Sequence, residues 1–200
     1  LHDRGRGVIE NSRAAAAAAI AAGYGIGLDG QVSADGEAMV FHDDTLTRLT
    51  EGTGLVRDHP EEVLAALCLT GAGGETIPTL GEILSLVAGR VPLLIEVKDQ
   101  DGALGPGVGR LEARVAELLA GYHGPAAVMS FNPNAVAALA AAAPAVARGL
   151  TTCDFEAADW SLPDYRRAEL ASLADAGRVG ASFISHDRRS LDSEPVARLK

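Results

Sequence analysis

The sequence is poor in cysteine and has no apolar run long enough to cross a bilayer. Its 200 residues include two cysteines, Cys68 and Cys153, far apart and without metal-type spacing. Both fall in apolar surroundings, so we expect buried free thiols and a reducing, cytoplasmic setting. The alanine-rich stretch 14–22 is too short and too weakly apolar to insert into a membrane. We expect no export signal, because no basic region followed by an apolar run opens the chain.

Positive charge is also scarce. The chain has 17 Lys and Arg against 27 Asp and Glu, a formal net charge of −10. This excess of negative charge argues against a nucleic-acid partner or an anionic membrane surface. An acidic protein can still bind a phosphate compound where a lysine or a metal reverses the local field. The hydrophobic content of 48% is enough for one core, so we predict a single domain over residues 1–200.

Apolar runs and helical patterns alternate along the chain. We predict strands at residues 25–32, 38–42, 91–97, 126–130, 147–151 and 181–185, and helices at about 12–22, 60–69, 79–87, 110–120, 134–143 and 166–176. Strands separated by helices pair in parallel, which indicates the α/β class. Residues 44–76, rich in Thr, Gly and Asp, are predicted to form a small inserted excursion.

Two of the predicted strands end in chemically useful side chains. The apolar run 38–41 passes directly into His42-Asp43, and a later run ends in Glu96-x-Lys98. The carboxyl ends of parallel strands meet at one rim, so we expect a base, carboxylates and a cation to lie together. This combination suits metal-assisted chemistry on an anionic substrate.

Short motifs between residues 8 and 131 follow one another in a characteristic order. They are Ile9-Glu10-Asn11-Ser12, Gly23-Tyr24-Gly25-Ile26, Ser33-Ala34-Asp35-Gly36-Glu37, Val40-Phe41-His42-Asp43, Ile77-Pro78-Thr79-Leu80, Leu93-Leu94-Ile95-Glu96-Val97-Lys98 and Ser130-Phe131. In this order and spacing the chain resembles the glycerophosphodiester phosphodiesterase family. The resemblance implies a TIM-type (β/α) barrel and the metal-dependent hydrolysis of glycerophosphodiesters to glycerol phosphate and an alcohol.

The resemblance also implies roles for individual residues. His42 would be one of two catalytic histidines that act as general acid and base. Asp29 and Glu96 would hold a divalent cation, Ca²⁺ or Mg²⁺, since hard cations prefer carboxylate oxygens. Glu10 would be a further acidic group of the site, and Lys98 would steady the phosphate. Without the resemblance, the same residues are an exposed histidine, strand-ending carboxylates, a helix-start acid and a loop cation.

The sequence departs from the family pattern in two places. The family carries His-Arg-Gly at the end of its first strand, whereas the nearest match here is His2-Asp3-Arg4-Gly5. We therefore expect the motif to lie upstream of the given sequence and His2 to be a loop residue. The family also has Glu-x-Asp where this chain has Gly27-Leu28-Asp29, which removes one metal ligand. About six of eight barrel strands are recognisable, so the chain looks truncated at both ends.

Several functional interpretations stay open at this point. The chain is an active phosphodiesterase on a small-molecule substrate, a catalytically impaired or dead relative, or a sphingomyelinase-like phospholipase on the same barrel. Trp160 and Phe155 lie in a later loop, where they either recognise the alcohol or fill the rim. The pair His186-Asp187 imitates His42-Asp43 after the last strand, but the resemblance gives it no role.

Overall fold

The computed structural model describes residues 2–199 and confirms the α/β class. Within these residues the chain has six strands in one sheet. They are β1 (Ile26–Val32), β2 (Ala38–Val40), β3 (Leu93–Val97), β4 (Ala126–Ser130), β5 (Ala147–Thr152) and β6 (Phe183–His186). Their order in the sheet is β2-β1-β3-β4-β5-β6, so β2 and β6 are the two edges and the sheet stays open.

One strand pairs differently from the prediction. β1, β3, β4, β5 and β6 are parallel to their neighbours, but β2 is antiparallel to β1, with Gly30 opposite Val40. The prediction of parallel pairing is wrong for β2 because a tight turn, not a helix, joins it to β1. In that turn Gly36 has φ 97°, a left-handed conformation that glycine adopts without strain. The turn lies at the carboxyl end of β1 and β2 runs back from it, so that the Phe41 N–H donates to the Asp29 backbone oxygen and His42 comes next.

The helices cover the predicted positions with two differences. The eight α-helices of the described residues are α1 (Arg13–Ala22), α2 (Glu61–Ala66), α3 (Leu80–Val87), α4 (Arg110–Ala120), α5 (Pro133–Ala142), α6 (Asp164–Ala171), α7 (Asp175–Arg178) and α8 (Glu194–Ala197). The helix predicted over 166–176 is divided into α6 and α7, because Leu173 between them has φ 59° and cannot continue a helix. The short α8 has no counterpart in the prediction.

The main hydrophobic core lies between the sheet and helices α1, α3 and α4. Its largest buried members include Ile95, Leu80, Ile83 and Leu111, all at most 2% exposed. Burial of side chains of this size contributes roughly 1.5–3 kcal/mol each. This packing fixes the strands and therefore the positions of the side chains at their carboxyl ends.

The predicted excursion at 44–76 has a small core of its own. Phe41 and Met39 from the end of β2 pack there with Leu46, Leu64 and Ile77, all fully buried. Two isolated bridges, Thr45 with Leu55 and Cys68 with Thr76, tie its loops together. The excursion thus anchors the residues that follow β2. That residues 1–200 form a single domain stays a prediction.

The two cysteines lie closer to the surface than predicted. Both cysteines are free, but Cys68 is exposed and Cys153 only partly buried, so the prediction of buried thiols is wrong. Cys68 is exposed because it lies in a loop of the excursion that bridges back to Thr76. Among the described residues, no helix is long and apolar enough to span a membrane.

Candidate active site

Asp29 and Glu96 lie side by side because β1 and β3 are parallel and in register. Asp29 pairs with Glu96 across the two strands. The ammonium of Lys98, two residues further along, lies 2.9 Å from an Asp29 carboxylate oxygen and 2.6 Å from one of Glu96. Burial of the Lys98 ammonium acts to lower its pKa, but the two carboxylates outweigh this effect and raise it. The three side chains therefore form one compact ionic cluster.

Asn11 holds the second oxygen of Asp29. Its side-chain nitrogen Nδ2 donates to that oxygen at 2.8 Å, and its side-chain oxygen Oδ1 accepts from the Asp29 backbone N–H at 3.1 Å. Asn11 has φ 57°, a left-handed conformation that asparagine tolerates better than most residues. The next residue, Ser12, is the N-cap of α1. The start of α1 is thus joined directly to the carboxylate on β1.

A second ionic network surrounds His42. The imidazole Nδ1 lies 2.7 Å from a carboxylate oxygen of Asp43. Arg48, in the first turn of the excursion, donates to both oxygens of Asp43, at 2.5 and 2.7 Å, and to Glu10 at 2.6 Å. Arg4 lies 3.4 Å from the other oxygen of Glu10. His42 therefore has a fixed partner on Nδ1, while half of its side chain is exposed.

The Arg48 guanidinium sets the ionisation of this network. Its hydrogen bonds lower the pKa of both Glu10 and Asp43, against the opposing effect of partial burial. In return the two carboxylates raise the pKa of Arg48. Both acids therefore stay ionised well into the acidic range. An ionised Asp43 accepts a hydrogen bond from His42 Nδ1 and orients the ring.

Two buried amide side chains donate hydrogen bonds to residues around these groups. Gln31, 3% exposed on β1, donates to the backbone oxygen of His42 at 3.3 Å and to Asp44 at 3.2 Å. After β4, the buried Asn132 donates to Asp99 at 2.7 Å. Burial raises the pKa of Asp99 despite this bond and another from the Leu104 backbone.

Two cavities meet at His42. One, of about 390 Å³, is lined by His42, Glu10, Asp29, Gly27 and His2 among others. The other, of about 580 Å³, runs from His42 past Glu96, Lys98 and Asp99 to the rings of Phe131 and Trp160. His2 is a loop residue, as predicted, and it shares the first cavity with His42.

The five residues singled out from the sequence are thus gathered at one end of the sheet. Lys98 contacts both Asp29 and Glu96, and His42 and Glu10 are joined through Asp43 and Arg48. Their catalytic, substrate-binding and metal-binding roles stay predictions. No individual role was predicted for Asn11 or Arg48, and Asp43 was predicted only as one of the carboxylates at this end of the strands; Asn11 and Asp43 stand inside the quoted motifs, and Arg48 follows Asp43 by five residues.

The described side chains do not fit a divalent cation in their present arrangement. Among the described residues there is no group of three or more His, Cys, Asp or Glu side chains placed to hold a metal. The two available carboxylates, Asp29 and Glu96, are bound by the ammonium of Lys98. Gly27 lies on the same face of β1 as Asp29, two residues earlier, but it has no side chain that could supply a third carboxylate. That Asp29 and Glu96 hold Ca²⁺ or Mg²⁺ stays a prediction, and it requires Lys98 to move.

Comparison with known proteins identifies the class of this chain. Residues 4–197 match the model of the glycerophosphoryl diester phosphodiesterase family, and the chain belongs to that family. A glycerophosphodiester phosphodiesterase of Caldanaerobacter subterraneus subsp. tengcongensis is 37% identical over 113 residues, which cover 52% of this chain and 45% of the relative. One from Bacillus altitudinis is 38% identical over 79 residues, 37% of this chain and 32% of the relative. The chain thus covers less than half the length of these curated relatives.

Solved structures agree on the architecture. A phosphodiesterase of Oleispira antarctica, in complex with the product sn-glycerol-3-phosphate, superposes with a TM-score of 0.70 at 26% identity, covering 87% of this chain and 68% of that chain. A glycerophosphodiester phosphodiesterase from Agrobacterium tumefaciens gives 0.66 at 29% identity, covering 94% and 77%. Such relatives are TIM barrels, so the predicted barrel class is confirmed, although the sheet of the described residues is not closed.

Proposed function

We propose that this chain carries a site that hydrolyses glycerophosphodiesters to glycerol phosphate and an alcohol. The observation that carries the proposal is the His42–Asp43–Arg48 arrangement beside the Asp29–Lys98–Glu96 cluster, at the carboxyl ends of the strands. In barrels of this class the reacting groups lie at that end. Family membership and the product bound to the Oleispira antarctica relative support the same substrate class.

The imidazole of His42 is the general acid–base group in this proposal. With Nδ1 donating to the ionised Asp43, the free Nε2 of a neutral ring accepts a proton from the attacking water or hydroxyl. A protonated ring returns that proton to the departing alkoxide. Such help contributes roughly 10²- to 10⁴-fold to the rate. The half-exposed side chain opens on both cavities, where a phosphodiester has access to it.

Lys98 lines the larger cavity beside His42, whereas Arg48 is joined to His42 through Asp43. An ammonium group has three N–H donors, and two of those of Lys98 are used by Asp29 and Glu96. The third is available to a non-bridging phosphate oxygen, which supports the predicted role of Lys98. Glu10 acts indirectly, because it holds Arg48 beside Asp43. No step is assigned to a metal ion, since the present carboxylate arrangement does not fit one.

The proposal is tested by the release of glycerol phosphate from glycerophosphocholine. We expect product with the wild-type chain and a loss of at least about 100-fold with His42→Ala. His123→Ala is the matched control, because His123 is an exposed histidine outside both cavities at His42. Equal rates for the wild type and His42→Ala would remove His42 from the mechanism. No product from the wild type, with or without Ca²⁺ or Mg²⁺, would contradict the proposed function.

One observation favours a second candidate, a relative that binds its ligand without turnover. Gly27 offers no carboxylate beside Asp29, and the ammonium of Lys98 is bound to the two that remain. On that reading, sn-glycerol 3-phosphate binds to the chain but the diester is not cleaved. The same assay, combined with a binding measurement, separates the two functions.

A further inference from the structure

Gln31 is a buried amide on the same face of β1 as Asp29, two residues further along the strand. Burying an amide is costly unless its polar groups are paired. Its Nε2 donates to the backbone oxygen of His42 at 3.3 Å and to a carboxylate oxygen of Asp44 at 3.2 Å. Its Oε1 accepts from Nε2 of Gln100 at 3.4 Å. The nitrogen and the oxygen of this amide therefore both have partners.

These partners fix the orientation of the Gln31 amide. A backbone oxygen and a carboxylate oxygen accept hydrogen bonds, so the Nε2 end must face His42 and Asp44. An ionised carboxylate in place of this amide would have no donor for either oxygen. The position therefore requires a side chain that donates at its end.

Gln100 extends this contact to the segment that follows β3. Its Nε2 also donates to the backbone oxygen of Lys98 at 2.5 Å. Its own backbone oxygen accepts from Arg57 of the excursion at 2.5 Å. Two side-chain amides therefore connect the backbone of His42 to the backbone of Lys98. We call this connection, from His42 through Gln31 and Gln100 to Lys98, the amide link.

The amide link begins where the chain leaves the end of β2. The Phe41 N–H donates to the Asp29 backbone oxygen at 2.9 Å. At the next residue, His42, the contact with β1 is made by the Gln31 side chain. Asp43 orients the His42 ring, but it belongs to the same segment and moves with it. Gln31 therefore connects that segment to the strand that carries Asp29.

We propose that Gln31 is a positioning residue for the proposed hydrolysis. Through the amide link it sets the place of the His42 ring, which transfers the proton, relative to the Lys98 ammonium, which contacts the phosphate. Neither Gln31 nor Gln100 lines the two cavities at His42, so the link acts through the residues that it holds. The inference rests on the proposed function, because it names a residue that sets the geometry of the same site.

Gln31→Met tests the link because it keeps the length of the side chain and removes its hydrogen bonds. Proton transfer requires hydrogen-bond contact with the reacting oxygen, so we expect kcat for glycerophosphocholine to fall at least about tenfold. The Lys98 ammonium stays bound by Asp29 and Glu96. The attraction between a cation and a phosphate varies slowly with distance, so KM should stay within about threefold. Gln31→Glu should have the same effect, since it cannot donate to His42.

Thr152→Val is the matched control. Thr152 is also buried, and its hydroxyl lies 2.7 Å from His186 Nδ1, outside both cavities at His42. This variant loses a buried hydrogen bond without touching the link, so kcat should not change. Circular dichroism verifies that the variants are folded. Wild-type kcat in Gln31→Met, or an equal fall in Thr152→Val, would overturn the inference.

A double-mutant cycle tests whether the two amides act as one link. Gln100 is only partly buried, so Gln100→Met tests the link even if Gln31→Met does not fold. Gln100→Met should also lower kcat more than it raises KM. The double variant should lose no more in kcat than Gln31→Met alone, because residues in one network are not additive. Multiplied losses, or wild-type kcat in Gln100→Met, would contradict the link.

Nuclear magnetic resonance separates this inference from the proposed function. We expect the ring signals of His42, assigned with His42→Ala, to differ between the wild type and Gln31→Met, both free and with saturating sn-glycerol 3-phosphate. In Thr152→Val they should match the wild type. This difference without turnover by the wild type supports the positioning of His42 while the proposed function fails. Identical His42 signals in Gln31→Met and the wild type would overturn the inference, whether or not the chain hydrolyses glycerophosphocholine.

Discussion

Asp29 and Glu96 are opposite one another on neighbouring parallel strands, and one ammonium group, that of Lys98, contacts both carboxylates. Two carboxylates side by side on adjacent strands repel each other unless a cation lies between them. In this chain the cation is part of the protein. The relationship explains why the pKa of Lys98 is raised although burial acts to lower it, and it determines how the site should respond to substitution.

The first prediction concerns metal binding by Gly27→Glu. Gly27 lies on the same face of β1 as Asp29, and an added Cβ there would meet no atom within 4 Å. A glutamate therefore fits, and it would supply a third carboxylate that a divalent cation requires. We expect Ca²⁺ to bind at least about tenfold more tightly than to the wild type, as measured by isothermal titration calorimetry.

The control for this substitution is Gly177→Glu, which adds the same charge in α7 at another position with open space around it. It should leave Ca²⁺ binding unchanged. If both variants gain affinity equally, the effect is one of net charge, and the Asp29–Glu96 pair is not the metal-binding position.

The second prediction concerns Lys98→Met. Removing the ammonium leaves the carboxylates of Asp29 and Glu96 unneutralised and largely buried, with side chains 20% and 12% exposed. Breaking such a pair costs about 3 kcal/mol of unfolding free energy, measurable by urea denaturation at pH 7. Adding CaCl₂ should restore part of the loss in this variant and have little effect on the wild type, because a metal then takes the position of the ammonium.

Arg198→Met is a suitable control, since it breaks an exposed ion pair with Glu194. It should cost less than about 1 kcal/mol and show no response to calcium. A Lys98→Met chain as stable as the wild type without metal would mean that the ammonium does not hold the two carboxylates.

The third prediction concerns Arg48 and the decrease in unfolding free energy at acidic pH. Arg48 lowers the pKa of Asp43 and of Glu10 in the folded chain. In the unfolded chain these groups titrate near about 4, so between about pH 5 and 3 the unfolded state takes up protons that the folded state does not. The stabilisation is therefore present above that window and is lost as the pH falls.

In Arg48→Met the fall in unfolding free energy across this window should be shallower than in the wild type. The difference should be about 1 kcal/mol or less, because Arg48 is 39% exposed and the ion pairs are screened. Urea denaturation from pH 7 to 3 measures it, with Arg198→Met, which breaks an exposed ion pair, as the control. Parallel curves for the wild type and Arg48→Met would contradict the assigned cause.

Local signals in the sequence were sufficient for most of the fold. Thr79 and Glu82 form the capping box that begins α3, and Gly23 ends α1 in a left-handed conformation. The split between α6 and α7 could not be predicted, because a leucine at φ 59° carries no sequence signal. The antiparallel β2 was missed because pairing was inferred from the alternation with helices, although the Asp35-Gly36 turn was visible.

The site was predictable where strand ends supply the residues. Asp29 and Glu96 stand at the carboxyl ends of buried strands, so their convergence follows from parallel pairing. The residues that contact these side chains were harder to predict, because they come from loops. Arg48 reaches back from the excursion to Asp43 and Glu10, and Asn11 reaches Asp29 from before α1. A contact made by a loop side chain over 18 or 38 residues leaves no periodic pattern in the sequence.

In the proposed function His42 and the Lys98 cluster form one site around a phosphate. The most direct test is calorimetric titration of sn-glycerol 3-phosphate into the wild type, His42→Ala, Lys98→Met and the control His123→Ala. We expect one site per chain, unchanged affinity in His123→Ala, and binding weakened at least about tenfold in both site variants, since each loses a charge-assisted contact worth about 1.5–3 kcal/mol. Wild-type affinity retained in both site variants would place the phosphate elsewhere and contradict the account.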